Sequence, residues 1–177
     1  MRDRAFYHRF WGRRPTKLEL CGPGDPLEDA FALVGVDPRD VVLVALSHLH
    51  NDHVGGLRHF AGRVPVHIQQ RELEGAQADP AAAERNGMFR IDFDDPTIDW
   101  HLADGDVDIA PGVTALLTAG HTPGHRSFLV EVDPGAGGGG YVFAFDAADL
   151  QRTWTSRSPS PRPSAGIRGR RSRRCAA

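Results

Sequence analysis

A chain of 177 residues suits one domain and is long enough to bury a core. No stretch is as long or as apolar as a membrane span, and Cys21 and Cys175 make no disulfide framework, so a reduced, cytoplasmic setting is expected. The formal net charge of −2 conceals an asymmetry: residues 152–177 hold eight arginines and no acidic residue, which leaves about −10 on residues 1–151.

Residues 1–18 are basic and aromatic (Phe6, Tyr7, Phe10, Trp11) without a continuous apolar run, so a secretory signal is not expected there. Asp25-Pro26-Leu27-Glu28 predicts a helix start, with Asp25 as cap, Pro26 in the first helical position and Glu28 reaching back; Gly35 closes the helix. The turn at Pro38-Arg39-Asp40 leads into Val41–Leu46, an apolar block that reads as a strand buried on both faces. Val54–Phe60 suits a short helix, Val64–Gln69 a strand and Arg71–Gln77 a second helix. From Asp79 to Gly112 the chain is acidic and turn-rich and reads as a solvated helix and hairpin, with a turn at Ala103-Asp104-Gly105-Asp106. Strands are expected at Val113–Ala119, Ser127–Val132 and Tyr141–Asp146, with the glycine run 135–140 as a hairpin connection and Phe143 and Phe145 in the core.

Chemistry concentrates just past the strand at Val41–Leu46. Within Ser47–Gly56, His48, His50, Asp52 and His53 place three imidazoles and a carboxylate in adjacent positions. That ligand set suits zinc, iron, manganese or nickel better than calcium or magnesium. His48 and His50 are two apart and leave an extended backbone on the same side, whereas Asp52 and His53 are adjacent and point differently, so one loop can feed two metal sites. A second cluster, Thr118-Ala119-Gly120-His121-Thr122-Pro123-Gly124-His125, precedes another strand, and a third strand ends at Asp146. Three strand ends are thus expected to converge. His8, His59, His67 and His101 lack such a context and read as ordinary histidines.

The pattern HxHxDH (His48, His50, Asp52, His53), then GHTPGH (Gly120–His125), then Asp146 resembles the metallo-β-lactamase fold hydrolases in motif and order. The wording from about Glu19 to Leu150, including GPGDPLEDAFALVGVDPRDVVLVALSHLHNDHVGGL and TAGHTPGHRSFLVEV, is similar to the N-acyl homoserine lactonase family. The resemblance implies an α/β fold, a metallo-β-lactamase-like αββα sandwich. It implies His48, His50 and His121 on one metal ion, Asp52 and His53 on a second, and Asp146 as a bridge between them. Two divalent ions, zinc by preference, roughly 3.5–4 Å apart would share a hydroxide that attacks a lactone carbonyl. Asp52 is then the expected proton carrier to the departing alkoxide, with Thr122 and His125 orienting the metal loop by hydrogen bonds. The implied activity is quorum-quenching lactone ring opening on a small-molecule substrate. Another hydrolase of the same superfamily, acting on a thioester or organophosphate ester, and an inactive metal-binding fragment remain open alternatives.

Several positions depart from the family pattern. No histidine follows His125, where the family carries a further metal-ligand histidine, so the second site is one ligand short. Few residues precede Glu19, where the family has strands. Asp149 stands where some lactonases have a tyrosine that contacts the substrate carbonyl. By this comparison residues 19–151 are an incomplete sandwich, cut at both ends, behind a basic and aromatic segment at 1–18. Residues 152–177, rich in Arg, Ser and Pro, lack the apolar content to fold and are expected to be a disordered tail. That tail reads either as an arginine patch for nucleic acid or an acidic surface, or as a coding sequence continued out of frame, the preferred reading because the break falls inside what should still be the catalytic domain. The oligomeric state stays open.

Overall fold

The computed structural model describes residues 25–132 and 139–148. The expectations for residues 1–18, for Cys21 and Cys175, for Gly135–Gly138, for Asp149 and for the tail 152–177 lie outside the described residues.

Helix α1, Pro26–Val34, begins as its sequence dictates: the Asp25 carboxylate accepts from the backbone N–H groups of Leu27 (3.0 Å) and Glu28 (3.5 Å). Gly35, at φ 69°, ends it in the left-handed conformation, and the N–H of Val36 returns to the Phe31 carbonyl at 3.1 Å. Glu28, expected to reach back to the cap, turns toward His59, with Oε1 3.8 Å from Nδ1.

The first sheet has the order β1-β2-β3, all parallel: β1 Val44–Ala45, β2 Pro65–Gln69 and β3 Asp99–Ala103. The strand expected over Val41–Leu46 is therefore much shorter, and among the described residues it is an edge strand rather than one buried on both faces. It has a described partner on one side only, and Val42 is 77% exposed. Parallel strands need crossovers, and helices supply them. After β1 come α2 (Asn51–Val54) and a 3-10 turn at Leu57–His59, which replace the single helix expected over Val54–Phe60. After β2 come α3 (Gln70–Ala78), α4 (Pro80–Arg85) and α5 (Arg90–Phe93).

Val66 and Ile68 alternate onto one face of β2 with no exposed surface and meet Leu73 and Ala76 of α3, Ala83 of α4 and Phe93 of α5. The acidic stretch from Asp79 to Gly112 is thus not a solvated helix and hairpin. Ala83, Met88, Phe89, Phe93 and Ile98 are core residues. Its two strands also lie in different sheets: β3 pairs with β2, whereas β4 (Val107–Ala110) pairs antiparallel with β5 (Val113–Leu117). The expected turn is present, with Gly105 at φ 83°, but it carries the chain from one sheet to the other.

The second sheet is antiparallel in the order β4-β5-β6-β7, with β6 at Arg126–Glu131 and β7 at Gly140–Phe143. Among the described residues strand β7 has one neighbour, and Phe143 (51%) and Phe145 (41%), expected in the core, are exposed. The two sheets are tied together at one end. The Arg126 N–H donates to the Ser47 carbonyl at 2.9 Å, and the fully buried Arg126 guanidinium donates to Gln69 Oε1 and, at 3.2 Å, to the Ala103 carbonyl. The α/β architecture expected from the sequence holds, with helices on the first sheet and an antiparallel sheet behind it. Among the described residues no helix is long and apolar enough to cross a membrane.

Candidate metal centre

Three segments, each leaving the end of a strand, meet where the two sheets are tied. The first, after β1, runs extended through His50 (φ −64°, ψ 146°) before α2 begins, so His48 and His50 leave the backbone on one side. The second is the loop between β5 and β6 that carries His121. The third is a 3-10 turn at Phe145–Ala147, directly after β7, that carries Asp146. Phe145 enters this turn at φ 47°, a left-handed conformation that an aromatic residue rarely adopts, and this strained step accompanies the placement of Asp146.

His48, His50, His121 and Asp146 offer one ligand atom each, and these four atoms lie within 4.8 Å of one another. His50 Nδ1 is 3.0 Å from His48 Nε2 and 2.9 Å from His121 Nε2. Asp146 Oδ2 is 3.1 Å from His121 Nε2, 3.5 Å from His53 Nε2 and 3.6 Å from His48 Nε2. Imidazole nitrogens packed this closely cannot all carry protons. Burial, and then the neighbouring imidazoles, push His48 far below its ordinary pKa; the same causes, with His121 the leading neighbour, bring His50 down to about 4. Neutral imidazoles and one carboxylate around a point are a donor set that fits a divalent cation of the zinc class.

Neighbouring side chains hold these rings in place. The Ser47 hydroxyl lies 3.0 Å from His48 Nδ1 and 3.3 Å from His53 Nδ1, which leaves both Nε2 atoms facing Asp146. His125 is fully buried, with Nδ1 2.9 Å from the Thr118 hydroxyl and its ring 5.1 Å from that of His48. Burial first, then His121, bring the His125 pKa down to about 4. Thr122 is buried too, and its carbonyl accepts from the Gly120 N–H at 3.1 Å, closing the loop around His121. Asp52 is exposed on the first turn of α2, outside the group of four, and its charge favours the protonated form of His50.

Glu72 was not singled out by sequence reasoning. It is 1% exposed, and its carboxylate accepts from the Leu49 N–H (3.1 Å) through Oε1 and from the Gly124 N–H (2.8 Å) through Oε2. One side chain of α3 therefore grips both histidine-bearing loops. Ser47 was missed in the same way.

The sequence profile of the Metallo-beta-lactamase superfamily matches residues 20–150. The chain belongs to that superfamily. Its metallo-beta-lactamase relatives include an N-acyl homoserine lactonase of Bacillus sp, 30% identical over 76% of this chain and 50% of that protein. The N-acyl homoserine lactonase AttM of Azorhizobium caulinodans is 34% identical over 71% of this chain and 48% of that protein. Among solved structures, a quorum-quenching N-acyl homoserine lactone lactonase superposes with a TM-score of 0.63 at 28% identity, over 77% of this chain and 53% of that one. An N-acyl homoserine lactone hydrolase with N-hexanoyl-L-homoserine bound at its catalytic metal centre gives 0.61 at 30% identity, over 75% and 48%. The chain spans about half the length of the curated relatives it matches.

Proposed function

We propose that this chain carries the metal centre of a hydrolase that opens the lactone ring of N-acyl homoserine lactones. The observation that supports this most is the meeting of His48, His50, His121 and Asp146 from three separate segments, in a chain similar to lactonases. In this reading residues 19–151 form the hydrolase body of a cytoplasmic protein and residues 152–177 a separate tail. His48, His50 and His121 would hold one divalent ion, zinc by the nature of the donors, and Asp146, His53 and Asp52 would serve a second. When bound, the metal supplies Lewis acidity that polarises the ester carbonyl and acidifies water.

The chain's own groups do the rest. Ser47 fixes the tautomers of His48 and His53 through their Nδ1 atoms, so that both Nε2 lone pairs face the site. His125 and Thr122 keep the His121 loop closed. Water adds to the lactone carbonyl carbon and gives one proton to the Asp52 carboxylate; the bond from that carbon to the ring oxygen breaks, Asp52 passes its proton to that oxygen, and the second water proton is released, leaving the N-acyl homoserine carboxylate. Asp149, outside the described residues, is the proposed contact to the substrate.

Each ring opening releases acid, so a pH-stat follows it directly. Zinc-loaded full-length chain should hydrolyse N-hexanoyl homoserine lactone, and His48→Ala should fall to the uncatalysed rate. A folded, zinc-loaded wild-type chain that leaves the lactone intact would refute the reading.

A further inference from the structure

The two loops that supply His48, His50 and His121 come from different sheets, and a metal ion tolerates only a narrow range of separations between its ligands. Glu72 spans them. Its Oε1 accepts from the backbone N–H of Leu49, the residue between His48 and His50, and its Oε2 from that of Gly124, between His121 and His125. The grip is close on the second side: a Cβ built on Gly124 would lie 2.5 Å from the Glu72 Cβ and 2.6 Å from its backbone N. The His121 loop thus rests directly on the α3 backbone. The carboxylate is 1% exposed, and burial raises its pKa while the Thr122 side chain, and after it the two N–H donors, oppose that shift. Two backbone donors aimed at one carboxylate are better satisfied by the anion than by any neutral side chain of that size.

We propose that Glu72 is a positioning residue for the metal centre, a carboxylate clasp that fixes the separation of the two histidine loops and so sets metal affinity without touching the ion. The inference rests on the metal-centre reading above. It follows that Glu72→Gln, which keeps one acceptor and turns an NH2 group toward the other N–H donor, opens the clasp on one side and loosens the ligand set. Glu72→Asp keeps the charge but shortens the reach by one methylene, so it cannot hold both donors at once.

The test is titration of full-length protein with Co(II), followed by its visible absorption, which reports ligand geometry as well as affinity. Unfolding by urea is measured on the same metal-free samples. Leu73→Ala is the control, a core residue on the same helix whose apolar side chain accepts from neither loop N–H. The expected result is that Glu72→Gln and Glu72→Asp each weaken Co(II) at least tenfold and alter the absorption band. Leu73→Ala loses stability but keeps its Co(II) affinity within twofold and its band unchanged. Glu72 variants that bind Co(II) like wild type, or a control weakened as much as they are, would overturn the clasp and leave the metal centre standing. A wild-type chain that takes up no Co(II) would overturn both.

Discussion

Gly124→Ala puts one methyl group where the His121 loop meets α3. The backbone of Gly124 lies outside the left-handed region, so an alanine suffers no conformational penalty there; the whole effect is steric. The new Cβ would fall 2.5 Å from the Glu72 Cβ, 2.6 Å from its N and 2.8 Å from its Cα, and none of these atoms can swing aside as a side-chain tip could. Overpacking of this kind costs about 1–3 kcal/mol. If the loop moves away to relieve it, the 2.8 Å bond from the Gly124 N–H to Glu72 is lost and a buried carboxylate oxygen loses its donor, for about 1–3 kcal/mol more. The expected loss is therefore about 2–6 kcal/mol, a large share of the roughly 5–15 kcal/mol typical of a domain. Gly75 is the matched control. It sits in α3, its nearest neighbour to an added Cβ is Pro123 at 4.0 Å, and Gly75→Ala should stabilise by about 0.5–1 kcal/mol through helix propensity alone. Urea unfolding of the metal-free proteins separates the two. Gly124→Ala within about 0.5 kcal/mol of wild type would refute the steric argument, since only uncrowded surface sites behave that way.

Three further outcomes follow from the same structure. His48, His50 and His125 are held below their ordinary pKa by burial, the last two at about 4, so the fold resists protons that the unfolded chain accepts below about pH 6.5. Metal-free protein should be most stable above pH 6.5 and lose stability as pH falls toward 4, with Glu72, shifted upward, opposing this only in part; a urea midpoint equal at pH 7.5 and 5 would contradict it. Asp25→Ala removes the α1 cap and the partner of Arg58 and His59, and should cost about 1–2 kcal/mol by the same assay. Zinc at a hundred times its dissociation constant should add about 2.7 kcal/mol of stability, read as a rise in melting temperature that His121→Ala abolishes.

The site was legible where its chemistry is local. His48, His50 and His53 sit within one short loop, and their clustering shows before any fold is known. The fold's class followed from the order of motifs. Glu72 was not legible, because its partners are backbone N–H groups of residues 23 and 52 positions away and no side-chain pattern marks them. One signal was present: Glu72 shares the apolar stripe of α3 with Leu73 and Ala76, where a carboxylate has no reason to be unless something buried needs it. Local pattern also misled. An apolar run such as Val41–Leu46 does not say how many neighbours its strand has, and the turn around Gly105 looks the same whether it joins two strands of one sheet or passes between sheets. Asp92, Asp94 and Asp95 suggested solvent, yet Phe89 and Phe93 beside them are fully or almost fully buried.

The most direct test of the account is the metal content of folded protein, measured by elemental analysis after zinc loading and exhaustive dialysis, for wild type and His121→Ala side by side. The convergence of His48, His50, His121 and Asp146 predicts at least one zinc retained per wild-type chain and none in the variant. A folded wild-type chain that emerges free of metal would contradict it.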